Sequence, residues 1–266
     1  MSNSIFSTQG KVVLATGATS GIGLGMCKGL AEFGCQQLIL IHRPSTSPAE
    51  ATAELKKISP LGDKLVVSYI QADVAEVNVE DIEEKIVKPA LELSVTGKID
   101  VLINNAGVNL RYTAEDFPED QFQKVLQIDL LFPSKLTRLV GKHMLENNVR
   151  GKIIFTLSLI SFQGGILSAP YAISKSGLKG FVQALSNEWS SKGINVNGIA
   201  PGYIETKLVK SLKEDPVRGR QITERIPIGR WGTPEDFRGP AAFLASSASD
   251  YVTGETLLVD GGWMAR

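Results

Sequence analysis

Thr16-Gly17-Ala18-Thr19-Ser20-Gly21-Ile22-Gly23 follows a short apolar run, Lys11 to Ala15, and opens an amphipathic stretch, Ile22 to Phe33. A strand, a glycine turn and a helix in that order point backbone N–H groups from the helix start toward one spot. No Cβ at Gly17, Gly21 or Gly23 keeps an anion away from them. Thr19, Ser20 and Ile22 join the glycines as the expected lining of a phosphate cradle. The spacing is GxxxGxG and not GxGxxG, and such a turn alone also suits a plain strand-to-helix connection.

The rest of the chain repeats this alternation. Apolar runs at Gln37 to Ile41, Leu65 to Ile70, Val101 to Ile103, Lys152 to Leu157, Ile194 to Ile199 and Thr256 to Val259 read as further strands. Their β-branched residues are nearly unbroken, the pattern of strands covered on both faces in a parallel sheet. Helices are expected between them at Ala49 to Ile58, Val79 to Leu93, Glu119 to Glu146, Tyr171 to Ser190 and Pro234 to Ala245, because parallel strands need crossovers. The expected fold is α/β, doubly wound and Rossmann-type, with helices on both faces of the sheet. No repeat or linker divides residues 1–266, so one domain is expected. The charged, polar stretch 205–225 reads as a substrate lid.

Composition narrows the partners. Lys plus Arg equals Asp plus Glu at 28 each, so no global field draws in nucleic acid or an anionic membrane. Cys27 and Cys35 are the only cysteines and lack metal-ligand spacing, so reduced thiols and no metal are expected. Without a signal-like start or a long apolar run, a cytoplasmic location is expected.

Nineteen residues past Gly23 stand His42 and Arg43, with no acid until Glu50. A carboxylate there would bind the 2′-OH of NAD; its absence and the Arg43 cation favour NADP(H), while NAD(H) stays open if Arg43 is only a surface arginine. Asp73, with Val74 beside it, either accepts from an adenine amino group or caps the helix before Glu76. Tyr171 and Lys175 are one helical turn apart, so the lysine charge is expected to bring the phenol closer to neutral for acid/base work. Ser158, thirteen residues upstream of Tyr171, is placed to hold the same substrate oxygen. Ser190, Tyr203 and Lys207 repeat that spacing, yet Tyr203 follows Pro201-Gly202 in a loop, and the first set has the better context.

With Asn104-Asn105-Ala106-Gly107, Ser158, Tyr171-Ala-Ile-Ser-Lys175 and Pro201-Gly202 in order, the chain resembles the short-chain dehydrogenase/reductase family over essentially its whole length. The resemblance implies a seven-stranded parallel sheet, a homotetramer with Val259-Asp-Gly-Gly262 at a subunit contact, and hydride transfer at C4 of a nicotinamide. It further implies that Lys175 bonds the nicotinamide ribose, that Asn104, Ala106 and Gly107 lie along the cofactor, and that Pro201, Gly202, Ile204 and Thr206 meet its carboxamide end. The family's fourth catalytic residue, an asparagine whose backbone carbonyl helps hold a water beside the lysine, corresponds to Asp129, which either keeps that proton path with a carboxylate near Lys175 that alters the tyrosine's titration or is only a helix residue.

Ser161-Phe-Gln-Gly-Gly165, Asn187-Glu-Trp189 and Ile226-Pro-Ile-Gly-Arg-Trp-Gly232 are similar to the branch containing 2-deoxy-D-gluconate 3-dehydrogenase and gluconate 5-dehydrogenase. Arg111 and Gln163 are then candidates for binding a substrate carboxylate and hydroxyls, although Arg111 also reads as a solvated loop cation. The expected function is NADP(H)-dependent interconversion of a ketone and a secondary alcohol on a sugar acid or polyol. The alternatives are a broad carbonyl reductase for less polar ketones and a non-catalytic cofactor-binding scaffold.

Overall fold

A computed structural model describes residues 4–206 and 210–266. In chain order the elements are β1 (Val12–Thr16), α1 (Gly21–Glu32), β2 (Gln37–His42), α2 (Ala49–Ile58), β3 (Val66–Gln71), α3 (Lys88–Leu93), β4 (Val101–Asn104) and α4 (Glu119–Leu126). They continue with α5 (Phe132–Glu146), β5 (Lys152–Thr156), α6 (Ala169–Trp189), β6 (Asn195–Pro201), α7 (Lys210–Glu214), α8 (Arg218–Arg225), α9 (Arg238–Ala245) and β7 (Thr256–Val259). The seven strands form one sheet in the order β3-β2-β1-β4-β5-β6-β7, and every pairing is parallel.

Alternate residues of β1 serve opposite faces, as the strand period requires. Val12 and Leu14 pack with Leu136 of α5 and Val182 of α6, whereas Val13 and Ala15 pack with Met26 and Leu30 of α1 and Leu244 of α9. Central strands are therefore buried on both sides, which explains their unbroken apolar runs. The outermost strands β3 and β7 are only partly buried. Cys27 and Cys35 are buried free thiols, and burial pushes the Cys27 thiol up to about 12.

Two long helices expected from the sequence are interrupted. Val79 to Leu93 divides into a 3-10 turn at Val79–Asp81, a π-helical turn at Glu83–Val87 and α3. Glu119 to Glu146 divides into α4, a π-helical turn at Gln127–Leu131 and α5. Each π turn is followed two residues later by proline, Pro89 or Pro133. Proline has no N–H for the carbonyl four residues back, and the wider turn absorbs that break. The carbonyl that Pro133 cannot reach is that of Asp129.

Glycines let α1 lie directly on the 234–238 segment. A Cβ on Gly29 would stand 2.2 Å from the Arg238 carbonyl oxygen, so Gly29→Ala forces the two backbones apart. The expected cost is about 1–3 kcal/mol, seen as a melting midpoint lower by roughly 3–10 °C. Gly239→Ala, which meets nothing within 4 Å, is the control and leaves the midpoint unchanged or slightly raised.

Candidate active site

The glycine turn has the shape its sequence demands. Gly17 and Gly21 have φ of +59° and +55°, in the left-handed region that glycine occupies without strain. A Cβ on Gly17 would lie 2.9 Å from the Ala106 Cα, and one on Gly23 would lie 2.4 Å from the Gly17 carbonyl oxygen. Ser20 precedes α1 in extended geometry, and its side chain makes no capping bond. The first N–H groups of α1 thus have no side-chain cap, and the glycine-lined cradle fits a dinucleotide diphosphate. Thr206 reaches this turn as well, since a Cβ on Gly21 would sit 3.6 Å from its methyl group.

A strap that the linear pattern does not reveal holds the turn. Thr16 Oγ1 accepts from the N–H groups of Asn105 at 2.9 Å and Ala106 at 3.0 Å. Asn105 Nδ2 donates to the Gly17 carbonyl at 2.8 Å, and Thr156 Oγ1 donates to Asn105 Oδ1 at 3.0 Å. The ends of β1, β4 and β5 are joined through one amide side chain. Asn104 Nδ2 donates to Thr137 Oγ1 at 2.8 Å in the core, while its buried Oδ1 has no hydrogen-bond partner among the described residues. The signal for Asn105 was its place beside Asn104, because strand alternation sends neighbouring side chains opposite ways.

Around the rest of the cleft the expected residues divide. Arg43 is exposed at the end of β2 and makes no ion pair among the described residues. His42 is buried against Tyr69, and its Nδ1 lies 3.0 Å from the Arg43 carbonyl oxygen and 3.1 Å from that of Thr46. It shapes the loop carrying Arg43. Val74 is packed in the core, while Asp73 Oδ1 accepts from the Ala75 N–H at 3.0 Å within a turn that no helix follows directly. Gly202 donates to Val259 and Ile204 is buried, tying the end of β6 to β7 and to Gly232. The Gly202 N–H is thereby engaged beside Pro201.

The residues expected to handle the proton meet at the end of β5. Ser158 leaves the strand in extended geometry and its hydroxyl accepts from the Ile160 N–H at 3.3 Å. Ser161 Oγ donates to the Lys175 carbonyl at 2.9 Å, fastening α6 to this corner. Lys175 Nζ lies 5.4 Å from the Tyr171 ring centroid and donates to the Thr156 carbonyl at 3.0 Å. Asp129 is no solvated helix residue. It is fully buried, its Oδ1 accepts from the Val108 N–H at 2.8 Å, and its Oδ2 stands 3.3 Å from Lys175 Nζ. Gly107 borders both, since a Cβ there would lie 2.9 Å from that Oδ2.

Burial acts on the Tyr171 phenol more strongly than the Lys175 charge does. Burial pushes the phenol above its ordinary range; the Lys175 charge pulls it down and the Asp129 carboxylate pushes it up, with a net rise. Burial also lowers Lys175, but the charges of Asp129 and Tyr171 outweigh it and hold the ammonium above its usual range. Burial raises the Asp129 carboxyl against the pull of Lys175 and the Val108 N–H. Spacing along the chain shows Lys175 one turn from Tyr171 but not the carboxylate that shares its charge.

Arg111 and Gln163 are both exposed, and the Tyr112 N–H donates to the Leu167 carbonyl at 3.1 Å, joining their two loops. Leu167 has φ of +61°, an unusual conformation for a branched residue in a loop beside the cleft. The competing Tyr203 is packed between Trp231 and Trp263, with ring centroids 5.4 and 4.6 Å away. Ser190 donates to the Ser186 carbonyl, and Lys207 lies outside the described residues. The 205–225 stretch contains α7 and α8, although 207–209 are outside the described residues. Thr223 of α8 accepts from Trp231 Nε1 at 2.9 Å, anchoring that end. Among the described residues, no cluster of three His, Cys, Asp or Glu side chains can hold a metal, and no helix is long and apolar enough to cross a membrane.

Comparison with known proteins agrees with this architecture. A family model described as Enoyl-(Acyl carrier protein) reductase matches residues 17–264. A 2-dehydro-3-deoxy-D-gluconate 5-dehydrogenase of Bacillus subtilis is 43% identical, covering 98% of this chain and 97% of its own. A 5-keto-D-gluconate 5-reductase of Escherichia coli K12 is 37% identical, with 98% of each chain covered. Among solved structures, a gluconate 5-dehydrogenase from Burkholderia cenocepacia in complex with NADP and tartrate is 32% identical, with a TM-score of 0.80 and 98% of each chain covered. A candidate 2-deoxy-D-gluconate 3-dehydrogenase from Agrobacterium tumefaciens with bound NADP is 38% identical, with a TM-score of 0.88 and full coverage of both chains. From its glycine turn to its Ser-Tyr-Lys corner, this chain belongs to the short-chain dehydrogenase/reductase family of oxidoreductases.

Proposed function

We propose that this protein interconverts a ketone and a secondary alcohol on a sugar acid or polyol-like substrate, using NADP(H) in preference to NAD(H). The observation that carries the reading is the gathering of Lys175 over the Tyr171 ring, with the Ser158 hydroxyl hydrogen-bonded to the phenol, at the end of β5. When bound, the dinucleotide supplies a hydride in reduction and accepts one in oxidation. Ser158 holds the substrate oxygen, while the Tyr171 hydroxyl gives that oxygen a proton in reduction and takes it back in oxidation. Lys175 steadies the phenolate that forms, from a position fixed by Thr156 and Asp129. The preference for NADP(H) is supported by exposed Arg43, which has no ion-pair partner among the described residues, and by the NADP in the Burkholderia and Agrobacterium relatives. Arg111 and Gln163, on adjoining loops, are the proposed contacts for a substrate carboxylate and hydroxyls, in keeping with the sugar-acid names of the relatives.

The same reading includes a cytoplasmic homotetramer in which 205–225 covers the substrate. Exposed Leu131, Ile166 and Ile173, together with Leu258 on outer strand β7, support subunit contacts, because an unpaired sheet edge with apolar side chains is an aggregation hazard unless covered.

Initial rates with NADPH and NADH against keto-gluconates and simple aryl ketones test the reading. The expected result is NADPH-dependent reduction of the keto acids; turnover of aryl ketones alone overturns the substrate class. Tyr171→Phe is expected to lower kcat by about 10²–10⁴-fold, with NADPH affinity, followed by its fluorescence, largely retained. Arg43→Ser is expected to raise the KM for NADPH roughly tenfold to a hundredfold, the scale of a lost charged hydrogen bond. Its KM for NADH should stay close to that of the wild type, and equal effects on both would reject the 2′-phosphate contact.

A further inference from the structure

A buried carboxylate facing the ammonium beside the reactive phenol alters what that ammonium can do. Lys175 Nζ has the Thr156 carbonyl at 3.0 Å and Asp129 Oδ2 at 3.3 Å, and that oxygen has no other hydrogen-bond partner among the described residues. Asp129 is 0% exposed and Lys175 3%, so water does little to screen the pair. The π turn carrying Asp129 packs against α4, α5 and α6. On α4, Glu119, Asp120 and Lys124 are exposed, as is Arg138 on α5, and the charge acting on Asp129 is that of Lys175 on α6. Tyr171 in turn feels Lys175 and Asp129. Among the described residues the site is thus a closed set of three ionisable groups, two of them acidic.

We propose that Asp129 is a charge-setting, positioning residue: by sharing the Lys175 ammonium it keeps Tyr171 in the phenol form and moves alcohol oxidation to higher pH. This rests on Tyr171 as the proton donor. Lys175 alone would favour the phenolate, since an opposite charge nearby favours the ionised form. The Asp129 carboxylate on the same ammonium cancels part of that field and repels the phenolate directly. Oxidation, which needs the phenolate, therefore develops at higher pH, and reduction, which needs the phenol, persists to higher pH. The carboxylate has this position because the Val108 N–H holds Oδ1 at 2.8 Å and the π turn presents residue 129 inward. Asn at 129 would keep nearly the same shape and remove the charge.

The test reads the phenol directly. Tyrosinate absorbance is titrated in the whole protein for wild type and Asp129→Asn, each with and without Tyr171→Phe, so that the difference isolates Tyr171 from the other four of the five tyrosines. The midpoint of Tyr171 is expected to fall by about one pH unit in Asp129→Asn. The acid limb of alcohol oxidation should move down by a similar amount, with NADPH affinity little changed. An unchanged or higher midpoint overturns the proposal. Asp129→Ser, run in parallel, removes the same charge with a smaller side chain and reads the same shift if the asparagine variant does not fold. A lowered midpoint without activity on any ketone would retain the charge-setting role and reject the proposed function, so the two fail separately.

Discussion

The central constraint is that β1 pairs with β2 on one side and β4 on the other, both in parallel. The chain builds outward to β3, then crosses back to begin the second half of the sheet, so connections leave the β1 and β4 ends in opposite directions. A crevice opens where they part, the place where open α/β sheets bind ligands. Gly17 and Ala106 approach closely enough across its floor that a single Cβ would collide. Asn105 closes the gap with bonds to the β1 turn and to Thr156 of β5. The glycine turn and the corner that holds Tyr171 and Lys175 thus belong to one hydrogen-bonded frame.

That frame permits the burial of charge. Lys175 and Asp129 are both nearly inaccessible, and removing two ions from water is costly unless each finds good partners. The Thr156 carbonyl, the Val108 N–H and the mutual ion pair supply them. The partners come from β5, the loop after β4, the π turn and α6, so none can be placed until the sheet and both crossovers are assembled. Pro133 contributes from outside the site by preventing a regular helix through Asp129. The least regular stretch of the long central helix thus lies beside the Lys175 ammonium and the Tyr171 phenol.

The sequence alone determined the strands, most of the crossover helices and the glycine turn, and it singled out Ser158, Tyr171 and Lys175 as candidates. These depend on local period, on the absence of a Cβ and on spacing along one helix face, all of which survive in a linear string. The family likeness named Asn104 and not Asn105, and only the packed β4 end showed that Asn105 bonds the glycine turn and Thr156 while Asn104 Nδ2 bonds Thr137. Tertiary structure also decided the balance of charge at Tyr171. Asp129 is 42 residues from it in sequence yet shares its lysine. Electrostatic fields follow distance and burial in space, which a one-dimensional pattern does not carry, whereas backbone periodicity is written residue by residue into the chain.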